Sequence, residues 1–355
     1  MHLLGTLLCL TVVWEATGAI SWLAFKHVEP ETWNSTRLCH LSRKHHGFVN
    51  RQVKLCRKYR DVMRHVHTAS HQSAATCQAI FAKHRWNCSS INLAPSYLRD
   101  LTAGTREQAF VYAHSAAALM HSVARGCSAG TIFYCGCGRT PRRAPDGDFK
   151  WGGCGDNTKF GRRFARKFAD SADRRKSKRR TPEERLRAKV NLHNNRAGSK
   201  AVQKSLRKQC KCHGVSGSCN IKTCWRALPD LHRIGQRLQR RYRNAIEVSM
   251  RRVGARWQMA PATTAMGRFS HEDLIYNAKS PDYCVRDQSF GSLGTVGRQC
   301  NASSTSHDGC KSMCCGRPYN TFTVERIERC QCKYVWCCYV KCKTCKRWED
   351  VHECT

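Results

Sequence analysis

The chain has 355 residues, a formal net charge of +37 and 25 cysteines, and this length can hold two domains of ordinary size. A hydrophobic fraction of 41% is enough to build a core and excludes wholesale disorder. So large a positive charge indicates a polyanionic partner: nucleic acid, an anionic membrane or a sulfated glycan. The cysteine density is typical of an oxidising compartment, which favours the sulfated glycan and disfavours nucleic acid.

Residues 1–19 have the pattern of a signal peptide. An apolar run from Leu3 to Trp14 is followed by small residues that end at Ala19, a sequence suited to signal peptidase. A membrane anchor is the alternative, but a span needs about 20 apolar residues and Glu15 interrupts the run. Cleavage near Ala19 predicts a secreted protein, and it removes one cysteine and leaves 24, an even number that fits complete pairing.

Three sequons are candidate N-glycosylation sites in a secreted chain. They place the acceptors at Asn34, Asn87 and Asn301, and each is expected on an exposed loop.

Two helices are predicted in the first part of the chain. After Gly47, apolar residues recur at steps near three and four, which predicts one long helix that continues towards Trp86. Thr105 and Gln108 have the pattern of a capping box, which predicts a second helix from Thr105 to about Arg125.

Three further helices follow along the chain. An aromatic stripe with a spacing of four residues from Phe160 to Phe168 predicts a third helix, with its rings in the core. Thr181, followed by a proline and two glutamates, predicts the start of a fourth helix, because threonine is a good N-cap and proline suits the first turn. An apolar stripe after Pro229 predicts a fifth.

The character of the chain changes after about Gly254. Residues 284–354 contain 12 cysteines and few helical stripes, and a segment that cannot bury enough apolar surface is typically stapled by disulfides. The predicted fold class is therefore α+β and disulfide-rich. An N-terminal helical domain with stapled hairpin loops covers residues 20–253, a linker covers 254–283, and a C-terminal cysteine-rich domain of short β-hairpins covers 284–355.

Six cysteines indicate an antiparallel hairpin over residues 330–345. When the residue numbers of the two cysteines are added, three pairs give 675, 674 and 675. Nearly constant sums mean that the pairs face each other across a hairpin. Six cysteines allow fifteen pairings, so the sums express a geometric preference. The pairs are Cys330 with Cys345, Cys332 with Cys342, and Cys337 with Cys338.

The tip of this finger hairpin carries four apolar residues, Val335, Trp336, Tyr339 and Val340. Exposed apolar residues on a rigid finger are typical of a contact surface. The alternative is that the finger folds back onto the body of the protein, and geometry alone favours neither.

A second braced segment is the hairpin of residues 210–224. Pairing Cys212 with Cys219 and Cys210 with Cys224 nests one loop inside another. The inner loop is rich in glycine and serine, as expected for a tight turn.

Ser216 lies in this inner loop between Gly214 and Gly217, which leave its hydroxyl uncrowded and open to a modifying enzyme. A zinc site is disfavoured, because secretion favours disulfides. A serine nucleophile is disfavoured, because Ser218 replaces the last glycine of G-x-S-x-G and no acid–base partner is indicated. A solvated Gly/Ser turn is the remaining alternative.

Residues 162–189 contain thirteen Lys or Arg residues and four Asp or Glu residues. Such a run is either a solvated surface or a polyanion-binding segment, and secretion favours sulfated glycans over DNA as its ligand. The candidate proteoglycan-binding residues are Arg174, Arg175, Lys176, Lys178, Arg179 and Arg180.

A series of motifs runs from about residue 50 to the end of the chain. It comprises Arg85-Trp86-Asn87-Cys88, Thr105-Arg106-Glu107, Trp151-Gly152-Gly153-Cys154, the 210–219 loop with Lys222-Thr223-Cys224-Trp225, Cys314-Cys315-Gly316-Arg317 and Trp336-Cys337-Cys338-Tyr339-Val340. In these motifs and their order the chain resembles the Wnt family of secreted, lipid-modified morphogens. The runs at Ile20 and at residues 91–95 resemble most the subfamily linked to planar polarity and convergent extension.

The resemblance implies a function for each hairpin. In the Wnt family, the serine at the position of Ser216 is acylated with palmitoleate by the acyltransferase Porcupine, and its loop acts as a thumb on the cysteine-rich domain of Frizzled receptors. The hairpin that ends at Cys337 and Cys338 resembles the index finger on the opposite side of that domain. The implied receptor-binding residues are Val215, Ser216, Val335, Trp336, Cys337, Cys338, Tyr339 and Val340.

The resemblance also implies partners and a location. They are the Wntless carrier, heparan sulfate proteoglycans and co-receptors of the LDL-receptor-related, Ror or Ryk type, in the extracellular space and matrix. We expect no nucleic acid, no enzymatic activity, no metal, and no cofactor other than the covalent palmitoleoyl group. A secreted matrix protein is the rival class and an enzyme is the third, and acylation of Ser216 discriminates between them.

The family's disulfide pairing carries over to this chain and includes the two nested pairs and the three finger pairs above. The further implied pairs are Cys77 with Cys88, Cys127 with Cys135, Cys137 with Cys154, Cys284 with Cys315, Cys300 with Cys310, and Cys314 with Cys354, which leaves Cys39 with Cys56.

Overall fold

A computed structural model describes residues 20–28, 35–141, 145, 147–176, 181–254, 256–263 and 267–355, without the side chains of residues 175, 176, 253 and 256. Some predicted features therefore lie outside the described residues. They are the signal peptide at residues 1–19, Asn34, the side chains of Arg175 and Lys176, and Lys178, Arg179 and Arg180.

Helices build the N-terminal part around one central helix, α5. The helices of the described residues are α1 (Thr36–His45), α2 (Asn50–Lys58), α3 (Arg60–Phe81), α4 (Arg99–Thr102), α5 (Arg106–Ser128), α6 (Thr158–Ala169), α7 (Ser171–Lys176), α8 (Pro182–Gln203), α9 (Leu231–Arg243) and α10 (Cys310–Met313). Nearly all of α5 is buried, because alanines and large apolar residues cover it on every side. No helix of the described residues combines the length and the apolar character that crossing a bilayer requires.

Two glycines let neighbouring helices approach α5 closely. A Cβ atom added at Gly198 of α8 would lie 1.9 Å from the carbonyl oxygen of Ala113, and one added at Gly161 of α6 would lie 2.6 Å from that of Met120. Both distances are shorter than non-bonded atoms allow, so these helix crossings require glycine. Phe168, from the predicted aromatic stripe, is buried in the same core.

The predicted starts of α5 and α8 are confirmed. Thr105 Oγ1 accepts a hydrogen bond from the Gln108 N–H at 3.1 Å, but the Gln108 side chain accepts from the Gly104 N–H at 2.7 Å, one residue before the expected partner. At α8 the reciprocal capping box is complete, with Thr181 and Glu184 each accepting from the other's backbone N–H.

The single long helix predicted after Gly47 is wrong. Tyr59 separates α2 from α3 with a non-helical φ of −125° and ψ of 61°, and α3 ends at Phe81 instead of near Trp86. The Tyr59 ring packs edge-on against three rings from distant segments, Tyr134, Phe160 and Phe164. This packing accounts for the break, because the local sequence pattern continues through it.

The strands form small sheets. The strands of the described residues are β1 (Lys150–Trp151), β2 (Arg207–Cys212), β3 (Lys222–Ala227), β4 (Ile246–Val253), β5 (Arg256–Pro261), β6 (Ile275–Tyr276), β7 (Arg286–Asp287), β8 (Ser292–Leu293), β9 (Gln299–Cys300), β10 (Tyr319–Val335) and β11 (Tyr339–Cys354). Their orders are β1-β3-β2, β5-β4-β6, β7-β8 and β10-β11-β9. Helices thus dominate the N-terminal part and β-hairpins the cysteine-rich C-terminal part, which confirms the predicted fold class.

The segment predicted as a linker, residues 254–283, packs against the helices. Its first residue lies in the turn between β4 and β5, so one hairpin crosses the predicted boundary. Farther along, the Asn194 side chain of α8 accepts from the Ile275 N–H at 3.0 Å and donates to the Ile275 carbonyl at 2.9 Å. Leu274 and Ile275 are fully buried.

The disulfides of the described residues join the same pairs that the resemblance implies. Those outside the two hairpins are Cys39–Cys56, Cys77–Cys88, Cys127–Cys135, Cys137–Cys154, Cys284–Cys315, Cys300–Cys310 and Cys314–Cys354.

Polar contacts join the end of α3 to the C-terminal part. The Arg298 guanidinium donates to the carbonyl of Arg85 at 2.7 Å and to that of Ala82 at 2.9 Å. Beside them the His84 ring stacks on His307, with ring centroids 4.8 Å apart.

The pKa of His84 is lowered to about 4, mainly by burial and further by the neighbouring charges of His307, Arg243 and Arg298, whereas Asp308 raises it. His84 is therefore neutral at pH 7, where its Nε2 accepts from the Gln239 amide at 3.0 Å. The unfolded chain takes up this proton near pH 6.5, whereas the folded protein takes it up only near pH 4. The stability contributed by neutral His84 is therefore fully present above about pH 6.5 and is lost as the pH falls from there to about pH 4.

We expect His84→Gln to make the fold less sensitive to acid. Between about pH 7 and pH 4.5 the wild-type Tm should fall, and the variant's Tm should fall less, because one group that must be protonated while buried is gone. Thermal unfolding at a series of pH values measures this, with His40→Gln, on the exposed face of α1, as the control. The variant should still lose some Tm in acid, because buried His114 remains, and burial also lowers its pKa to about 4. Equal losses of Tm in the wild type and the His84 variant would contradict the assignment.

Candidate functional site

The thumb hairpin, residues 210–224, is a two-stranded ribbon that β2 and β3 form. Cys210 lies directly opposite Cys224 in the ladder and is bonded to it, and a second disulfide joins Cys212 to Cys219 across the loop. At its root β3 also pairs with β1, so the hairpin is anchored on a three-stranded sheet.

Hydrogen bonds across the tip of the thumb hairpin set its shape. The Gly214 N–H donates to the Ser218 carbonyl at 2.9 Å, and the Gly217 N–H donates to the Gly214 carbonyl at 2.9 Å. This turn places Ser216 in the left-handed region, with φ of 56°, followed by Gly217 with φ of 76°. Ser216 is exposed, and the neighbouring Val215 side chain is 90% exposed.

The two serines of the loop have opposite environments. The Ser218 Oγ is buried and has no hydrogen-bond partner among the described residues. A Cβ atom at Gly214 would lie 2.3 Å from this oxygen, so Ser218 packs directly beneath the turn. Of these two serines, Ser216 is therefore the one exposed to solvent.

No acid–base partner contacts Ser216 in the described part of the chain. The nearest histidine in sequence, His213, is engaged through its Nε2 with Thr223 Oγ1 at 2.8 Å. The described surroundings of Ser216 therefore do not include the base that a serine nucleophile needs.

The finger hairpin is longer than the predicted residues 330–345. Its strands β10 and β11 have 17 and 16 residues and run from Tyr319 to Cys354, so this hairpin is longer than the short hairpins expected in this part. Most of its side chains are exposed on both faces.

The predicted register of the finger hairpin needs one correction. The disulfides are Cys330–Cys345, Cys332–Cys342 and Cys337–Cys338, but Cys330 faces Lys343 in the ladder instead of Cys345. A register shift follows Cys330, where Gln331 has a positive φ of 44°, and the first bond therefore runs diagonally. Constant position sums cannot detect such a bulge.

The tip of the finger hairpin points into solvent and does not fold back. Trp336 is 88% exposed, and Tyr339 and Val340 are more than half exposed. Sequence reasoning missed Tyr334, which lies opposite Val340 and is 68% exposed. The alternation of side chains along a strand identifies it, because directly opposed residues share a face.

The remaining predicted site residues are placed as follows. Asn301 is exposed, whereas Asn87 is half-buried and accepts from the Ser89 N–H at 3.2 Å. Arg174 of the basic run makes an ion pair with Asp170 at 3.2 Å, which offsets part of its charge.

Three sulfur atoms lie close together at Cys300, Cys314 and Cys354. All three are disulfide-bonded, so none provides the free thiolate that a metal ion binds.

These features define a class of protein: a disulfide-stapled body of helices and small sheets that presents two exposed hairpins with apolar tips. Residues 44–355 match the Wnt family model, and the chain belongs to the Wnt family.

Similar proteins span nearly the whole chain. Wnt-11b-2 of Xenopus tropicalis is 41% identical over 350 residues and covers 98% of both chains. Human Wnt-2b is 45% identical over 312 residues, which cover 87% of this chain and 78% of Wnt-2b. The Wnt-11 relatives agree with the predicted resemblance to the planar-polarity subfamily.

A solved structure of human WLS in complex with WNT8A is also similar. It matches with a TM-score of 0.57 and 32% identity, over 82% of this chain and 94% of the matched chain. The similarity extends the family assignment to the three-dimensional fold.

Proposed function

We propose that this Wnt-family protein is a secreted, palmitoleoylated ligand of the Frizzled cysteine-rich domain. The observation that carries the proposal is the exposed Ser216 hydroxyl on a doubly cross-linked turn, while the neighbouring Ser218 hydroxyl is buried.

The energetics of the thumb hairpin support this function. Burial of an acyl chain contributes about 0.8 kcal/mol per CH2, so sixteen carbons supply on the order of 10 kcal/mol before losses. Val215, next to the acceptor in sequence, and Ile221, which pairs with His213 at the base of the loop, are exposed and add apolar surface to the hairpin. A small loop without the lipid would have few other means of tight binding.

The tip of the finger hairpin is proposed as the second receptor contact. Aromatic residues dominate the energetics of protein interfaces, and Trp336, Tyr339 and Tyr334 are exposed there without a packing role. The proposed contact residues are Val215, Ser216, Val335, Trp336, Cys337, Cys338, Tyr339 and Val340, to which the structure adds Tyr334.

Acylation determines which other partners the proposal includes. Porcupine would add the lipid, and a carrier such as Wntless would shield it, as the similar WNT8A structure in complex with WLS suggests by analogy. After release to the extracellular space and matrix, the basic surface would bind heparan sulfate proteoglycans. Co-receptors of the LDL-receptor-related, Ror or Ryk type complete the proposed set.

The first test replaces the proposed acyl acceptor. Ser216→Ala removes one exposed oxygen, so the free energy of unfolding should change by less than about 0.5 kcal/mol. Loss of the acyl chain should weaken binding to the Frizzled cysteine-rich domain about 100-fold or more. Mass spectrometry of the tryptic thumb peptide should show one monounsaturated sixteen-carbon acyl group in the wild type and none in the variant.

Ser218→Ala is the matched control for this test. It removes a buried hydroxyl that has no partner among the described residues, so acylation and receptor binding should persist. Secreted, receptor-active protein with unmodified Ser216 would overturn the lipid mechanism and leave the matrix-protein class standing.

The second test concerns the tip of the finger hairpin. Trp336→Ala should leave secretion unchanged, because the ring is 88% exposed, and should weaken receptor binding about tenfold or more. Binding to an immobilised Frizzled cysteine-rich domain measures the effect. Trp348→Ala is the control, since Trp348 is also exposed on this hairpin but lies about 30 Å from the tip at the strand rise per residue. Equal effects of the two substitutions would refute a contact at the tip.

The third test concerns the basic run. Replacing Arg174, Arg175, Lys176, Lys178, Arg179 and Arg180 by glutamine should lower the salt concentration at which the protein elutes from heparin. Receptor affinity should stay nearly the same, because these residues are remote in sequence from both hairpins. Unaltered elution would identify the run as a solvated loop.

A further inference from the structure

A cavity of about 420 Å³ opens at the root of the thumb hairpin. It lies between the stapled segment that ends at Pro141, the start of α6 and the end of β3. Its volume falls within the range of about 300–1,000 Å³ that is typical of ligand sites. It is separate from the exposed tip that carries Ser216.

The lining of the cavity is strongly cationic. Four exposed basic side chains contribute to it, namely Arg139, Lys159, Arg163 and Arg226. Lys159 and Arg163 are one turn apart on α6, so they share a face of that helix. Within the described part of the chain, none of the four makes an ion pair with a carboxylate.

Among the described lining residues Asp156 is the one acidic side chain, and it is engaged with the protein itself. Its Oδ1 accepts from the Ser128 hydroxyl at 2.5 Å, and its Oδ2 accepts from the Leu228 N–H at 2.6 Å. These bonds tie the carboxylate to the protein, and the described lining keeps an excess of positive charge, with four cations against one carboxylate.

Backbone forms one wall of the cavity and rings form another. Gly138 and Gly155 pair through an isolated β-bridge, and a Cβ atom at Gly155 would lie 2.8 Å from the Arg226 carbonyl oxygen, so no side chain fills this side. Tyr134, Phe160 and Trp225 contribute aromatic surface to the lining. The combination offers aromatic surface beside several positively charged side chains.

We propose that this cavity binds a short sulfated segment of a glycan. The planar guanidinium of arginine can donate two parallel hydrogen bonds to a pair of sulfate oxygens, and aromatic faces accept the apolar faces of sugar rings. The inference rests on the proposed extracellular location but is independent of acylation, and this site is distinct from the basic run at residues 174–180. Because the cavity has a limited volume, it binds only a short segment of the glycan. An extended basic run, in contrast, gains affinity with every added sulfate.

The test uses the full-length protein and a fully sulfated heparin tetrasaccharide as the probe. Replacing the four cationic residues of the cavity by glutamine should weaken tetrasaccharide binding about tenfold or more, as measured by calorimetry. The charge-matched control replaces four exposed cations of α1 and α2 by glutamine, namely Arg43, Arg51, Lys54 and Arg57. The control and the basic-run variant should bind the tetrasaccharide within about twofold of the wild type, and the desulfated tetrasaccharide should not bind.

Each other outcome would overturn the site. Equal loss in the cavity variant and the charge-matched control would show that net charge alone drives binding. Loss only in the basic-run variant would assign the glycan to residues 174–180 and leave the proposed receptor function intact. Failure of Ser216 acylation would remove the lipid mechanism without affecting this measurement, so the two proposals fail separately.

Discussion

The disulfides within each of the two exposed hairpins are the constraint on which the rest of the structure depends. The finger hairpin runs from Tyr319 to Cys354 with most side chains exposed, and an isolated two-stranded ribbon is marginally stable in water. Its disulfides and those of the thumb hairpin restrict the unfolded chain, so the ribbons persist without a core of their own.

Cross-linking leaves the hairpin tips free of any packing requirement. Val215 and Trp336 are about nine-tenths exposed. A hairpin that depended on a hydrophobic core for its stability would have to bury such side chains. In the thumb hairpin the backbone bonds of Gly214 and Gly217 hold one serine outward and the other inward. A tip with such a fixed shape loses little conformational entropy when it binds a partner.

Charge and apolar surface are separated along the chain. The described tips carry aromatic and aliphatic side chains, whereas the root of the thumb hairpin gathers Arg139, Lys159, Arg163 and Arg226 around one cavity. A protein with a net charge of +37 therefore presents apolar surface at the described hairpin tips and basic surface at the root of the thumb hairpin. The pairing of β1 with β3 anchors the root of the thumb hairpin on a three-stranded sheet.

Sequence alone determined the features that depend on near neighbours. The N-caps at Thr105 and Thr181 act within one helical turn, and the cysteine positions from 330 to 345 indicate a hairpin because its two strands are consecutive. Ser216 could be predicted as an acyl acceptor only through the resemblance of its motif, since many exposed glycine-flanked serines carry no lipid.

Tertiary structure decided the features that depend on distant residues. The helix breaks at Tyr59 because rings from two other segments surround it, and the predicted linker docks because the Asn194 side chain completes the hydrogen bonds of Ile275. The bulge at Gln331 escapes any count of sequence positions, because a pairing sum assumes an uninterrupted ladder. The exposure of Trp336 is likewise not local: whether an aromatic side chain is buried depends on which other surfaces the fold brings near it.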